Sequence, residues 1–300
     1  MDNSPYIDSR AYPLPDSLKR ETGIGLRSCH YRALVDEKPD VGWLEVHPEN
    51  YFGGGSPRRY LGKARELYPL SLHAVGLSLG SDRPVCENHM RQVKELIDIF
   101  EPFQVSDHVS WSASGNAHLN DLLPLPYTGE TLDRLCENIA RAQDFFGRTI
   151  LVENPSTYLS FTIDEMPEYE FLNNIVKRTG CDLLLDVNNI YVQSVNHDFD
   201  AYHYIDRILP GPVKEMHLAG HTERRFDDGG TILVDTHNRP VRAEVWDLYE
   251  HAVRRFGPVP TLIEWDGDIP ALPVLVAESD KAQAVIDSQK EKGSLADEAA

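Results

Sequence analysis

Seven stretches of this chain finish in side chains that hold metal ions or move protons. They end in Glu45, His47, Glu49 and Asn50; in His73; in Asp107 and His108; in Glu153 and Asn154; in Asp186, Asn188 and Asn189; in His217, with His221 beyond it; and in Glu264 with Asp266. A lone histidine or carboxylate in such a place is most often a hydrogen-bonded core or loop residue. The joint pattern changes that reading. Gathering so many ionisable groups at one buried place is costly without compensating charge. Bound cations supply that charge, because they keep carboxylates ionised and imidazoles neutral. A further pair, Asp235 and His237 in VDTHNRPV, stands two residues apart. In an extended segment the two would point the same way and suit one ion; a polar turn is the competing reading. Imidazole, carboxylate and amide donors without sulfur suit iron, manganese or zinc, and exclude an iron–sulfur cluster.

Strands must gather these residues, and each stretch ends a short apolar run. Eight such runs begin near Gly23, Val41, Leu70, Gln104, Thr149, Cys181, Val213 and Pro260. Most are continuous in apolar residues rather than alternating, as parallel strands covered on both faces are. Helical stripes lie between them: Met90, Val93, Leu96, Ile97 and Phe100; Leu132, Leu135, Ile139, Ala142 and Phe146; and a third from Val245 to Phe256. Gly147, Gly180, Gly211 and Gly257 follow helical stretches as candidate left-handed caps. Eight strands with helical crossovers predict an α/β fold, a single (β/α)8 TIM-type barrel with its site at the C-terminal strand ends. An open doubly wound sheet would carry a Gly-rich phosphate fingerprint after its first strand, and GLRSCHYR is not one. YFGGGSP, from Tyr51 to Pro57, lacks a following GK[ST] and reads as a flexible loop over the mouth or a structural turn. The expected organisation is an N-terminal extension over 1–22, the catalytic barrel over 23–277, and a C-terminal helix with a frayed acidic tail over 278–300.

The formal charge of -19 argues against a nucleic-acid partner and against docking on an anionic membrane. Cys29, Cys86, Cys136 and Cys181 form no CxxC pair, so free, mostly buried thiols in a reducing cytoplasm are expected. No signal-peptide pattern opens the chain and no run approaches ~18 apolar residues.

GIGLR, WLEVHPENYF, LSLHAVGLSLGS, SDHVSW, LVENPSTYL, LLLDVNNIYV, EMHLAGH and LIEWDGD occur in this order. Together they resemble the multinuclear non-haem iron-dependent oxidative enzymes, the family that includes the methanobactin-biosynthesis oxidase. The resemblance runs from about Gly23 to Pro273. It implies a barrel similar to xylose isomerase and the four-type AP endonuclease. It implies two or three iron ions, Fe2+ and Fe3+, with O2 as co-substrate. The implied reaction is oxidative modification of cysteine, or of another residue, in a ribosomally made precursor peptide, giving heterocycle or thioamide products. A small partner protein that recruits the leader is implied as well. Carried over position by position, His73, His108 and Glu153 look like ligands of one ion. Glu153 would bridge to a second ion held by Asp186, His217 and Glu264. Asn189, Asp235 and His237 look like a third site, where Asn189 stands in place of the endonuclease histidine and implies weaker binding. Glu45, His47, Glu49 and Asn154 would orient ligands by hydrogen bonds.

Three other readings compete. A hydrolase of AP-endonuclease type would use zinc to activate water, and the charge and Asn189 weigh against it. A sugar isomerase should show a dedicated base or lysine beside two metals, and none stands out. A non-catalytic metal-binding protein would leave no open coordination positions.

Overall fold

A computed structural model of the chain describes residue 18, residues 20–114 and residues 117–298. Residues 1–17 and 19 of the expected extension and the last two residues of the tail lie outside the described residues. Eight parallel strands close into a barrel: β1 (Thr22–Gly25), β2 (Trp43–Val46), β3 (Leu70–His73), β4 (Gln104–His108), β7 (Leu151–Glu153), β8 (Asp182–Asp186), β9 (Val213–Leu218) and β12 (Thr261–Ile263). These are the eight predicted runs. Among the described residues nine helices surround and link them: α1 (Tyr31–Glu37), α2 (Gly55–Arg65), α3 (Glu87–Phe100), α4 (Gly129–Phe146), α5 (Glu168–Thr179), α6 (Val187–His197), α7 (Ala201–Arg207), α8 (Ala243–Phe256) and α9 (Leu272–Glu298).

Two antiparallel hairpins were not predicted, β5 (Trp111–Ser114) with β6 (Ala117–Leu123), and β10 (Thr222–Arg225) with β11 (Thr231–Val234). They leave from the C-terminal ends of β4 and β9. β10 is polar throughout, and the TILV of β11 is too short to stand out as a run. The helical stripes pack as expected: α3 buries Met90, Val93, Leu96, Ile97 and Phe100. Gly147 and Gly180 end α4 and α5 in the left-handed conformation. Gly257 ends α8 with positive φ but outside that region, and α7 ends at Ile208 in extended backbone, so Gly211 caps nothing. YFGGGSP follows the second reading, a structural turn that leads into α2. Gly54 and Gly55, at φ 69° and 70°, start α2.

The barrel interior is divided. At one end Trp43, Phe103 and Leu262 form their own apolar cluster. The Trp43 and Phe103 rings meet edge-on, 5.3 Å between centroids. Gly23 makes room for that indole, since a Cβ there would lie 2.5 Å from the Trp43 ring. Nearer the C-terminal strand ends the inward positions become polar. Helix α9 covers the β1 seam. Its Ser279 Oγ donates to Thr22 Oγ1 at 2.9 Å, and Gln283 Oε1 accepts from the Glu21 amide at 3.1 Å. The helix begins at Leu272, earlier than the residue-278 boundary suggested.

One buried acid ties the outer layer together. Tyr127 Oη donates to Glu168 Oε1 at 2.8 Å, and Gln193 Nε2 donates to Glu168 Oε2 at 3.1 Å. Burial outweighs these bonds and raises the Glu168 pKa from 4.5 to about 7. The folded chain therefore holds this proton more tightly than the unfolded one. Its contribution to stability falls as pH rises from about 4.5 to about 7, then stays level. Replacing Glu168 by Gln removes that dependence. Denaturant unfolding should show the variant gaining on wild type by about 3 kcal/mol between about pH 5 and about pH 8. A constant difference across that range would refute the assignment.

Candidate metal centre

The parallel register aligns the donors. His108 lies beside Glu153, and Asp186 beside His217. His73 Nε2 stands 3.1 Å from Glu153 Oε2, and His108 Nε2 stands 3.3 Å from the same oxygen. His217 Nδ1 lies 3.0 Å from Glu264 Oε2. Ligand atoms of His73, His108 and Glu153 all fall within 4.8 Å of one another, and so do those of Glu153, Asp186, His217 and Glu264. Glu153 is common to both groups. Neighbouring donors around a six-coordinate ion with bonds of about 2.1 Å lie roughly 3 Å apart, so these spacings fit adjacent ligands.

The polar atoms left over fit a metal too. Asp186 Oδ2 and Asn189 Oδ1 are buried without a hydrogen-bond donor or acceptor as partner. Such atoms are costly unless something positive meets them. Burial disfavours a charged His108, yet the Glu153 carboxylate outweighs it and lifts its pKa to about 9. His108 thus carries positive charge that a cation would replace.

The remaining expected residues divide. Asn154 grips the Asp186 backbone twice: its Nδ2 donates to the carbonyl at 3.0 Å and its Oδ1 accepts from the amide at 2.9 Å. Asp186 caps α6, accepting from the Asn189 amide at 2.6 Å. Asn189 Nδ2 reaches the Asn154 carbonyl at 3.1 Å, leaving its Oδ1 free. His47 Nδ1 donates to the His73 carbonyl at 3.1 Å. Asp235 and His237 meet, Oδ1 to Nε2 at 2.7 Å, and His237 Nδ1 lies 3.2 Å from Glu264 Oε2. His237 has φ 43°, so a left-handed turn residue rather than an extended segment brings this pair together. Glu49 does not face the cluster. Its Oε1 accepts from the Val75 amide at 3.1 Å and from His89 Nε2 at 3.0 Å, which holds the β3–α3 loop.

Glu215 was missed. It sits two residues before His217, so both side chains enter the barrel. His217 Nε2 lies 3.4 Å from Glu215 Oε1 and 3.4 Å from Glu45 Oε1. Burial, with Glu45 beside it, pushes Glu215 well above the usual carboxylate range, so it keeps its proton. Burial also works to raise Glu45, but His217 and His73 outweigh it and hold it at about 2. Two-residue parity within VKEMHLAG could have found Glu215. Arg27 was missed as well: it pairs with Asp266, and Glu264 and Glu45 also help to raise its pKa. The centre opens into a cavity of about 780 Å³, walled in part by Leu119, Leu122 and Leu123 of the β5–β6 hairpin.

Residues 21–287 match the family described as RiPP precursor modification enzyme MbnB/TglH/ChrH. The chain belongs to this family. A UPF0276 protein of Vibrio parahaemolyticus is 48% identical over 265 residues, covering 88% of this chain and 92% of that protein. One of Chromobacterium violaceum is 47% identical over 270 residues, covering 90% and 96%. Among solved structures, D-psicose 3-epimerase from Clostridium cellulolyticum superposes with a TM-score of 0.57 at 12% identity, covering 90% of this chain and 98% of that one. Endonuclease IV from Thermus thermophilus superposes at 0.54 with 16% identity, covering 91% and 99%. These likenesses establish a xylose-isomerase-like TIM barrel. For this RiPP precursor modification enzyme the buried His and Glu groups are the places that could hold metal. Among the described residues no helix is long and apolar enough to cross a membrane. Cys136 and Cys181 are buried as expected, whereas Cys29 and Cys86 are exposed.

Proposed function

We propose that the chain uses two or three iron ions and O2 to oxidise a cysteine, or another residue, of a ribosomally made precursor peptide. The product would be a heterocycle or thioamide. A small partner protein would deliver the leader, and the exposed Cys29 and Cys86 suit a reducing cytoplasm. The observation that carries this reading is the shared Glu153, flanked by two imidazoles and adjoining a second acidic group. His73, His108 and Glu153 would hold one ion; Glu153, Asp186, His217 and Glu264 a second; and Asn189, Asp235 and His237 a third. When bound, iron supplies redox equivalents and open positions for a thiolate and for O2.

The chain's own residues do the rest. Asn154 holds Asp186 in register. Glu45 and the protonated Glu215 set the orientation of His217 through its Nε2. His47 braces the His73 carbonyl, and Glu49 acts further out through His89, which lines the cavity. The hairpin wall limits access of water to the centre. Metal analysis and Mössbauer spectroscopy on protein purified without oxygen test this reading. Two or three irons per chain, with ferrous and ferric signals, support it. Stoichiometric zinc with little iron would favour hydrolysis instead.

A relay supports the third position. His221 Nδ1 donates to Asn188 Oδ1 at 2.8 Å, and Asn188 Nδ2 donates to Asp235 Oδ1 at 2.7 Å. Burial, helped by Arg242, lowers the His221 pKa to about 4, so the ring stays neutral and its tautomer is set. Asn188→Ala should weaken the most labile ion about 10- to 100-fold while leaving the other two in place. Titration with ferrous iron, followed by counting bound metal, reads this directly. Equal weakening of all ions would show that Asn188 acts on the whole barrel.

A further inference from the structure

Beside the metal cavity lies a second cavity of about 620 Å³, between the β7–α5 loop and helices α6 and α7. The two share a wall of Pro124, Thr157 and Leu159. Phe161, Met166 and Tyr169 line the second cavity, and Phe199 stands at its rim, 37% exposed. Leu159 is 52% exposed on the ridge between the two. Large apolar side chains left in water beside a buried site mark a place where something docks.

The lining chemistry narrows the ligand. Among the described residues no lysine or arginine lines this cavity, which disfavours a phosphate or a terminal carboxylate. Its carboxylates are already engaged. Asp164 accepts from the Tyr127 and Phe161 amides, Glu165 from the Gly129 amide, and Asp200 caps α7. Glu168 is held by Tyr127 and Gln193. Of the lining imidazoles, His197 is held at the Thr157 carbonyl and His203 stands edge-on to the Tyr169 ring, so what remains on offer is mainly apolar. The cavity is also tied to the metal loop, because Gln193 Nε2 donates to the Pro155 carbonyl at 2.9 Å, two residues beyond Glu153.

We propose that this second cavity is a side-chain pocket for the precursor peptide, seating one aromatic or branched aliphatic residue from the segment flanking the modified residue. It rests on the peptide-modifying reading. A peptide with one residue at the metal must leave the cavity along its rim. The ridge of Pro124 and Leu159 is a wall that also borders this apolar hollow. An extended chain crossing that ridge sends alternate side chains to opposite sides.

The test uses metal-loaded enzyme under anaerobic conditions. The probes are fluorescein-labelled Cys-containing peptides of glycine and serine, each carrying a single phenylalanine at one position before or after the cysteine. Partner peptides carry lysine or glycine at that position. Fluorescence anisotropy gives the affinities, and metal content and gel filtration are recorded alongside. In wild type one phenylalanine register should bind about tenfold tighter than its glycine or lysine counterpart. In Phe199→Ser and in Met166→Asp that ratio should fall close to one, with metal content unchanged. Phe199 is exposed enough that its replacement spares the fold. Absence of any register preference, or a preference that survives both variants, overturns the pocket while peptide binding itself stands. A shift from dimer to monomer in the variants would assign the patch to a second copy and also overturn it. Failure of every cysteine peptide to bind wild type would remove the peptide-modifying reading, and the pocket with it.

Discussion

Glu153→Gln is expected to strip the chain of most of its bound metal and to lower peptide oxidation at least about a hundredfold. Loss of an outer partner already costs 10- to 100-fold in metal affinity or activity, and Glu153 is the donor common to two groups. The substitution conserves volume but removes the charge and one acceptor oxygen. His73 and His108, at 3.1 and 3.3 Å, would then face a neutral amide. Each ion would lose a ligand at once, so the loss should be cooperative rather than confined to one position. Anaerobic titration with ferrous iron, with bound metal counted beside turnover, provides the check. Circular dichroism confirms that the barrel is intact. Retention of wild-type metal content would remove Glu153 from the shared position.

Gly220→Ala should be the most damaging small substitution at the mouth. A Cβ there would lie 2.2 Å from the Arg239 carbonyl oxygen and 2.5 Å from that of Pro240. Both are backbone atoms, so no rotamer change relieves the clash. The segment that must give way carries Asp235 and His237. It is pinned at its other side, because the His237 carbonyl accepts from the Asp266 and Gly267 amides at 2.6 and 3.2 Å. Overpacking of this kind costs about 1–3 kcal/mol, so the melting temperature should drop by roughly 5 °C. The metal consequence is selective: the ion assigned to Asp235 and His237 should be lost first, with those on the barrel strands kept. Gly62→Ala is the control. It lies in α2 with open space around it and should stabilise by up to about 1 kcal/mol. Equal effects of the two substitutions would defeat the steric argument.

Much of the fold was legible because parallel barrel strands are buried on both faces and write themselves as continuous apolar runs. The hairpins were not legible for the opposite reason. In β10 (Thr222–Arg225) the residues are half-buried or exposed, and nothing apolar marks them. The donors on strand ends could be gathered by reasoning, since a barrel brings all its C-terminal ends to one mouth. Their pairing came from the family resemblance and not from any local pattern.

His73, His108, Asp186, His217 and Glu264 owe their convergence to strand parity, which is a property of the sequence once the strands are known. That Glu153 stands between two groups depends on the register of β7 against β4 and β8. That Glu49 turns away follows from the short 3-10 turn over Pro48–Tyr51, which ends the strand alternation before Glu49 is reached. Asp235 and His237 meet through a left-handed residue and a hairpin, neither of which residue spacing shows. The second cavity is made by three loops and helices remote in the chain. By itself the sequence determined the barrel, the strand ends and the donor types, because local periodicity and residue chemistry carry them. The tertiary structure alone decided which donors stand within reach of one another, which carboxyl burial drives toward its protonated form and where an apolar side chain can lie. Those properties depend on distances between segments that no local pattern encodes.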